Sequence, residues 1–183
     1  NYSSENLTLY YSSSDGDSDS ISNITNWYKD GTSITVLNMP FENVSGGIYN
    51  ATKDYSGYGN NGSESGGVVW NITDYHDGQG AYTFDGSDDY IDLGLDGSLQ
   101  VQNEFSIEVW INAPALPNDA LWAILSSQND PDGSGVGLLL DGRLNPDGQT
   151  SPRRHIHFQI GDSSFHTTNV NAVVPNNEWV HIV

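Results

Sequence analysis

Two glutamates on one predicted strand are the first residues whose types and spacing suggest catalysis. Glu104 and Glu108 flank Phe-Ser-Ile, and alternate strand residues place their side chains on the same face. Paired carboxylates cleave a glycosidic bond when one attacks and the other donates a proton. Four residues of strand separate these Cα atoms by roughly 13 Å, whereas a retaining pair of carboxyl groups stands about 5.5 Å apart. We therefore predict that the chain is not an enzyme.

Three histidines form a second candidate, a zinc site. His155 and His157 are two residues apart on a predicted strand and so share a face, and His166 falls on the next strand within cross-strand reach. Three imidazoles are a sufficient protein ligand set for zinc. Because no motif fixes an acidic or cysteine ligand nearby, an exposed polar face is the favoured interpretation.

The strongest metal candidate is the loop from Asp54 to Gly62, which reads DYSGYGNNG. Calcium takes about six to eight oxygen ligands and tolerates irregular loops. This loop supplies a carboxylate, flexible backbone carbonyls and two side-chain amides, and Glu42 ends the predicted strand that leads into it. An ordinary glycine turn is the alternative.

Exposed aromatic side chains are the residues that sugar recognition would use. The sequence offers Trp110, which lies opposite the apolar residues of its strand, and it predicts Trp70 and Trp179 in the core or at its rim. No ligand site follows from the pattern alone. The other candidates for a sugar-binding surface are Trp122, Tyr55 and Tyr58.

The elements that position these residues are predicted to be strands. Between Phe105 and Ile111 apolar and polar residues alternate with the period of a two-faced strand, and a turn-forming run separates two further patterns within residues 82–93. The class is therefore all-β, an antiparallel β-sandwich. Further strands are predicted at 34–41, 68–70, 121–126, 136–140, 155–160, 163–168 and 178–183, and the predicted core contains Phe84, Ile91, Phe105, Ile107, Val109 and Ile124.

Several segments together resemble a known family. The run FDGSDDYIDLG at 84–94, followed by FSIEVWIN at 105–112, is similar to the laminin G-like members of the concanavalin A-like jelly-roll superfamily. The segments VLNMPFE at 36–42, DYSGYGNNG at 54–62, AILS at 123–126 and NEWVHIV at 177–183 resemble further strands and a loop of that family.

This resemblance implies a jelly roll over residues 34–183 and a structural calcium ion. Asp54 and Asn60 are its implied ligands, with Glu42 as a weaker third. The family's closing strands have no counterpart before Val183, so we expect a domain that is truncated in this sequence. Residues 1–33 resemble a linker or the end of an immunoglobulin-like repeat of the kind found in archaeal and bacterial surface proteins.

Charge and composition exclude several classes of partner. The chain has 24 acidic and 5 basic residues, a formal net charge of −19 and no cysteine. Such a surface repels nucleic-acid phosphates and anionic lipid headgroups. No apolar run approaches the roughly 20 residues that span a bilayer. We expect no nucleic-acid partner, no direct membrane insertion and no thiol chemistry.

Glycosylation sequons point to the compartment. They cluster in the N-terminal part of the chain, which favours an extracellular, cell-surface glycoprotein. The predicted function is a non-catalytic structural subunit of a surface layer or filament that self-assembles or joins other surface proteins. The alternatives are an adhesin module that binds carbohydrate or protein, and an accessory domain of a larger secreted hydrolase. The predicted glycosylation sites are Asn1, Asn6, Asn23, Asn43, Asn50, Asn61 and Asn71.

Overall fold

The structure is a computed structural model in which strands are the dominant element. It describes residues 8–19, 21–43, 50–76, 78, 80–100, 104–115, 121–127, 135–143, 154–161 and 165–183. In these residues the strands are β1 Tyr28–Lys29, β2 Thr32–Ser33, β3 Ser63–Ser65, β4 Val69–Asn71, β5 Ala81–Thr83, β6 Tyr90–Asp92, β7 Val109–Asn112, β8 Leu121–Ser126, β9 Gly135–Asp141, β10 His155–Gly161, β11 Phe165–Val173 and β12 Trp179–Ile182. Single turns of 3-10 helix lie at Asn50–Thr52 and Gly97–Leu99.

Two antiparallel layers enclose the hydrophobic core. One is a four-stranded sheet in the order β11-β10-β9-β8, and the other is the pair β12-β7. Leu138, Leu140, Ile156 and Val174 are buried between them and contact half-buried apolar residues of β7 and β12. The other pairs are β1-β2, β3-β6 and β4-β5. The predicted class, an all-β antiparallel sandwich, is confirmed.

Strand parity in β7 and β12 follows the predicted pattern. Val109 and Ile111 face the core with Val180 and Ile182, and Ile107 packs there from just before β7. Ile124 of β8 also contacts the core, as predicted. Two predicted core residues are not core: Phe84 is 46% exposed and Phe105 is 37% exposed. Both lie outside the strands, where alternation does not determine burial.

The predicted opening strand at 34–41 is wrong, because no strand is assigned there in the structure. The backbone of this segment bonds to a loop instead of to a neighbouring strand. The Asn38 N–H donates to the Asp54 carboxylate at 2.9 Å, and the Tyr55 N–H donates to the Asn38 carbonyl at 2.8 Å. Pro40 has no N–H to donate to a ladder, and Phe41 has a φ of 59° that breaks the extended conformation.

A buried arginine ties the two layers together. Arg154, 6% exposed, precedes β10 and donates only to backbone carbonyls among the described residues. Its Nε donates to Val174 at 2.8 Å, and its Nη2 donates to Ala113 at 3.0 Å and to Pro175 at 3.2 Å. Its Nη1 donates to Pro114. Burial lowers the pKa of Arg154, because desolvation disfavours the charged guanidinium.

Arg154→Met should destabilise the protein by about 3 kcal/mol or more, since it leaves several carbonyls without their charged donor while keeping the apolar stem. The matched control is Arg143→Met. Arg143 is half-exposed and pairs with Asp141 through Nη2 at 2.6 Å, so its loss should cost less than about 1 kcal/mol. Urea unfolding of both variants measures the difference. Equal losses would show that Arg154 does not join the layers.

Candidate functional site

A row of four rings, three of them on exposed residues and the fourth on half-buried Trp179, lies on the outer face of the β12-β7 pair. His76 stacks on Trp110 with ring centroids 3.5 Å apart, and Trp110 stacks on His181 at 4.7 Å. His76 also meets Trp179 edge to face at 6.3 Å. We call the rings of His76, Trp110, Trp179 and His181 the aromatic row.

A carboxylate stands at each end of the aromatic row. The Trp179 Nε1–H donates to Asp74 Oδ1 at 3.3 Å, and His181 Nε2 donates to Glu108 Oε1 at 2.8 Å. Asp74 and Glu108 are both exposed, and the Glu108 side chain is 70% accessible to solvent. The row therefore combines stacked aromatic rings with charged acceptors in contact with water.

Strand parity creates most of this arrangement. Trp110 and His181 are directly opposed in the antiparallel ladder, so their side chains share a face. Trp179 lies two residues from His181 on β12 and points the same way. Since Val109 and Val180 face the core, their neighbours must face outward. Asp74 and His76 reach the row from the segment after β4.

Trp110 is the aromatic candidate from the sequence that the structure places in the row, and it is 39% exposed. Trp179 is half-buried and not in the core cluster, because Val180 and Ile182 take the inward positions of β12, so of the predicted core or rim only the rim is compatible with its position. The alternation of apolar Val180 and Ile182 with Trp179 and His181 was the sequence signal that would have placed the latter two side chains on the outer face. No sequence signal identified Asp74 or His76, which come from an irregular segment.

The other aromatic candidates lie elsewhere. Tyr58 is exposed, and Tyr55 is half-buried with Lys53 Nζ 4.7 Å from its ring centroid. Trp122 is half-buried and packs so closely on Gly86 that an added Cβ there would meet its ring at 2.3 Å. These side chains are therefore not part of the aromatic row.

The three histidines considered for zinc do not share a face. His166 opposes Ile160 on β10, and alternation puts Ile160 on the side opposite His155 and His157. His157 is buried, with Nε2 2.8 Å from Gln159 Nε2 and Nδ1 3.9 Å from Asp141 Oδ2. The strand geometry rejects the three-histidine zinc site.

Asp54, the leading calcium ligand in the prediction, organises its own loop. It is buried, and its Oδ1 accepts from the N–H groups of Asn38 at 2.9 Å and Ser56 at 2.8 Å. Its Oδ2 accepts from the Ser56 hydroxyl at 2.7 Å and from the Asn60 N–H at 2.9 Å. Burial raises the pKa of Asp54, but these hydrogen bonds from Ser56, Asn38 and Asn60 together outweigh it, so the net pKa is lowered.

The predicted ligand set fits calcium poorly. An ionised carboxylate has about four acceptor positions, and protein donors occupy that many on Asp54. The Asn60 amide donates to the Val36 carbonyl at 2.8 Å and to Ser98 Oγ at 2.9 Å. Glu42 is buried, and its Oε2 accepts from Ser22 Oγ at 3.3 Å. Calcium at this loop stays a prediction, and the ion would have to displace a protein donor from Asp54.

Two other features offer less chemistry. An apolar groove of about 620 Å³ lies between the layers, and Glu104 and His181 are the polar residues that line it. A groove with so few polar groups cannot orient a hydrophilic ligand well. The exposed turn with Asp85, Asp88 and Asp89 brings three carboxylates within 4.8 Å, an arrangement that is common without an ion.

Asp54→Asn should lower the free energy of unfolding by about 1–3 kcal/mol at neutral pH, because charge-assisted hydrogen bonds are lost. Because the pKa of Asp54 is lower in the folded than in the unfolded protein, its ionised carboxylate stabilises the fold above the unfolded pKa of about 3.9. The difference from wild type should therefore be complete above that pH and vanish as pH falls through the folded pKa of Asp54. Thermal melts across pH measure it.

Asp92→Asn is the control for this prediction, since Asp92 is exposed and accepts from the Gly94 N–H. Its substitution should change stability much less. The Asp54→Asn loss should persist in chelator, because the four donors belong to the protein. A loss that appears only with millimolar calcium would instead assign the role of Asp54 to metal binding.

Comparison with known proteins assigns the family. A laminin G-type family model, described as concanavalin A-like lectin/glucanases superfamily, matches residues 85–183. This region contains β6 to β12, including both strands of the aromatic row. Searches of curated proteins and of solved structures found no match. Since the family match covers more than half of the chain, the chain belongs to the concanavalin A-like lectin/glucanases superfamily, as a laminin G-like member.

Proposed function

We propose that this chain is a non-catalytic, extracellular carbohydrate-binding module that holds its glycan on the aromatic row. The observation that carries the proposal is the exposed stack of His76, Trp110 and His181. Sugar rings present weakly positive C–H groups on one face, and the negative face of an aromatic ring attracts them. The carboxylates of Asp74 and Glu108 are placed to accept hydrogen bonds from the sugar hydroxyls.

Solvent exposure supports this use of the row. Soluble proteins rarely expose adjoining aromatic side chains, and such patches commonly mark binding sites. The row has a carboxylate at each end, which suits a hydrophilic ligand better than the apolar groove does. Membership of a superfamily whose description includes lectins agrees with this choice.

The absence of catalysis remains part of the proposal. Glu108 is engaged with His181 on the outer face, whereas Glu104 lines the groove between the layers. The first strand residue after them is Val109, so no ladder holds the two glutamates on a common face. This arrangement offers no paired carboxylates for glycoside cleavage.

An extracellular location is proposed from the family and from the sequons. Asn23 is exposed, and Asn43, Asn61 and Asn71 are half-buried. The Asn71 Oδ1 accepts from the Thr73 N–H and hydroxyl, both at 2.8 Å. Asn1 and Asn6 lie outside the described residues, as does the side chain of Asn50. No helix among the described residues is long and apolar enough to cross a membrane.

The structural-subunit function and the accessory-domain alternative stay predictions, as does self-assembly with copies or other surface proteins. A surface-layer role is compatible with a glycan-binding module, because surface assemblies contain glycans that such a module would hold. The aromatic row gives the binding function a specific location, and the other functions have none.

Trp110→Ala should weaken glycan binding at least about tenfold, because exposed tryptophans commonly dominate the energy of an interface. The matched control is Trp27→Ala, since both tryptophans are 39% exposed and Trp27 lies beside the β1-β2 hairpin. Binding to an array of neutral and amine-bearing oligosaccharides, followed by titration calorimetry, measures the effect. Equal binding by the two variants would refute the placement of the site.

A further inference from the structure

The two carboxylates of the aromatic row each keep an oxygen available. Asp74 uses Oδ1 for Trp179, and Glu108 uses Oε1 for His181. Within the described residues, Asp74 Oδ2 and Glu108 Oε2 accept from no protein donor. Each of these oxygens is therefore an accessible, negatively charged acceptor beside an aromatic face.

Cations are the ligands that such a combination favours. The negative face of an indole attracts a cation, and an adjacent carboxylate adds a charge-assisted hydrogen bond. The Trp110 and Trp179 rings lie between the two carboxylates. No Lys or Arg in the described part of the chain bonds to Asp74 or Glu108, so no permanently charged side chain there neutralises the two carboxylates.

The charge of the whole chain acts in the same direction. With 24 acidic and 5 basic residues, it carries a formal charge of −19. This field draws cationic ligands toward the surface and repels uronate, sulfated or sialylated glycans. Anionic sugars are therefore the ligands that this site excludes.

We infer that the aromatic row binds amine-bearing sugars, with ammonium groups at Asp74 Oδ2 and Glu108 Oε2 and sugar rings against the aromatic faces. This inference rests on the proposed function and adds the ligand class. One carboxylate at each end of the row suits an oligomer that carries an amine on successive residues. A basic peptide also carries ammonium groups, but its flexible side chains would use pockets, whereas the row lies on the outer face of the β12-β7 pair.

Titration calorimetry with four hexamers at about pH 6 tests the inference. The ligands are deacetylated glucosamine hexamer, its neutral N-acetylated form, a uronate hexamer and hexalysine. We expect the deacetylated hexamer to bind about tenfold more tightly than the N-acetylated form, and the uronate not to bind. Raising the salt concentration should reduce this preference.

The decisive variant combines Asp74→Asn with Glu108→Gln, which keeps the shape of both side chains. It should lose most of this preference, so that the deacetylated and N-acetylated hexamers bind with nearly equal affinity. The control combines Asp17→Asn with Asp92→Asn, which makes the same change in net charge at exposed positions away from the row. The control should keep the preference.

The outcomes separate the inference from the function on which it rests. Equal affinity for the neutral and amine-bearing hexamers overturns the inference and leaves the carbohydrate-binding function standing. Binding of no oligosaccharide overturns both. A preference that survives in the double variant, or falls equally in the control, shows that the two carboxylates do not create it. Tighter binding of hexalysine than of the amino sugar assigns the row to basic peptides.

Discussion

The fold depends on a positive charge that is buried among backbone carbonyls. Arg154 is one of 5 basic residues, and it lies where the chain leaves one layer of the sandwich and approaches the other. The carbonyls of Ala113 and Pro114 follow β7, and those of Val174 and Pro175 precede β12.

Pro114 and Pro175 have no N–H of their own, so this region is rich in acceptors and poor in donors. The planar guanidinium supplies several donors in a fixed geometry, which a lysine cannot do. The relative position of β7 and β12 follows from this cluster.

The candidate site is an outward consequence of the same pairing. Once Val109, Ile111, Val180 and Ile182 face the core, the residues between them must face solvent on a common surface. A slip of one residue in the β12-β7 register would separate Trp110 from His181 and bring His181 into the core. The Asn177 N–H bonds to the Ala113 carbonyl at 2.9 Å, just beyond the Trp179–Asn112 pair, and so holds the register at that end. The hydrogen-bonded ladder between β12 and β7 thus determines both which side chains pack in the core and which form the aromatic row.

Periodicity predicted the sandwich and most of its later strands, because alternation reports burial directly where a strand is paired on a core. The strand predicted at 121–126 coincides with β8. The same reasoning failed at 34–41, where Pro40 and the positive φ of Phe41 interrupt an apparently regular pattern. Three of the four rings of the aromatic row were accessible to prediction, since parity places Trp110, Trp179 and His181 on one face once the register is known. Asp74 and His76 were not, because an irregular segment has no period from which a direction follows.

In a chain with so many carboxylates, the number of protein donors at each one separates structural acids from available ones. Asp54 accepts four hydrogen bonds within a buried loop, so its charge is satisfied by the fold itself. Asp141 accepts from Arg143 through both oxygens. These hydrogen bonds, and to a smaller extent the nearby His157, lower the pKa of Asp141. Asp74 and Glu108 differ from both, because each has one donor and an exposed second oxygen. A ligand that brings its own positive donors would complete their coordination without disturbing the fold, which is the physical reason for the cation preference that we propose.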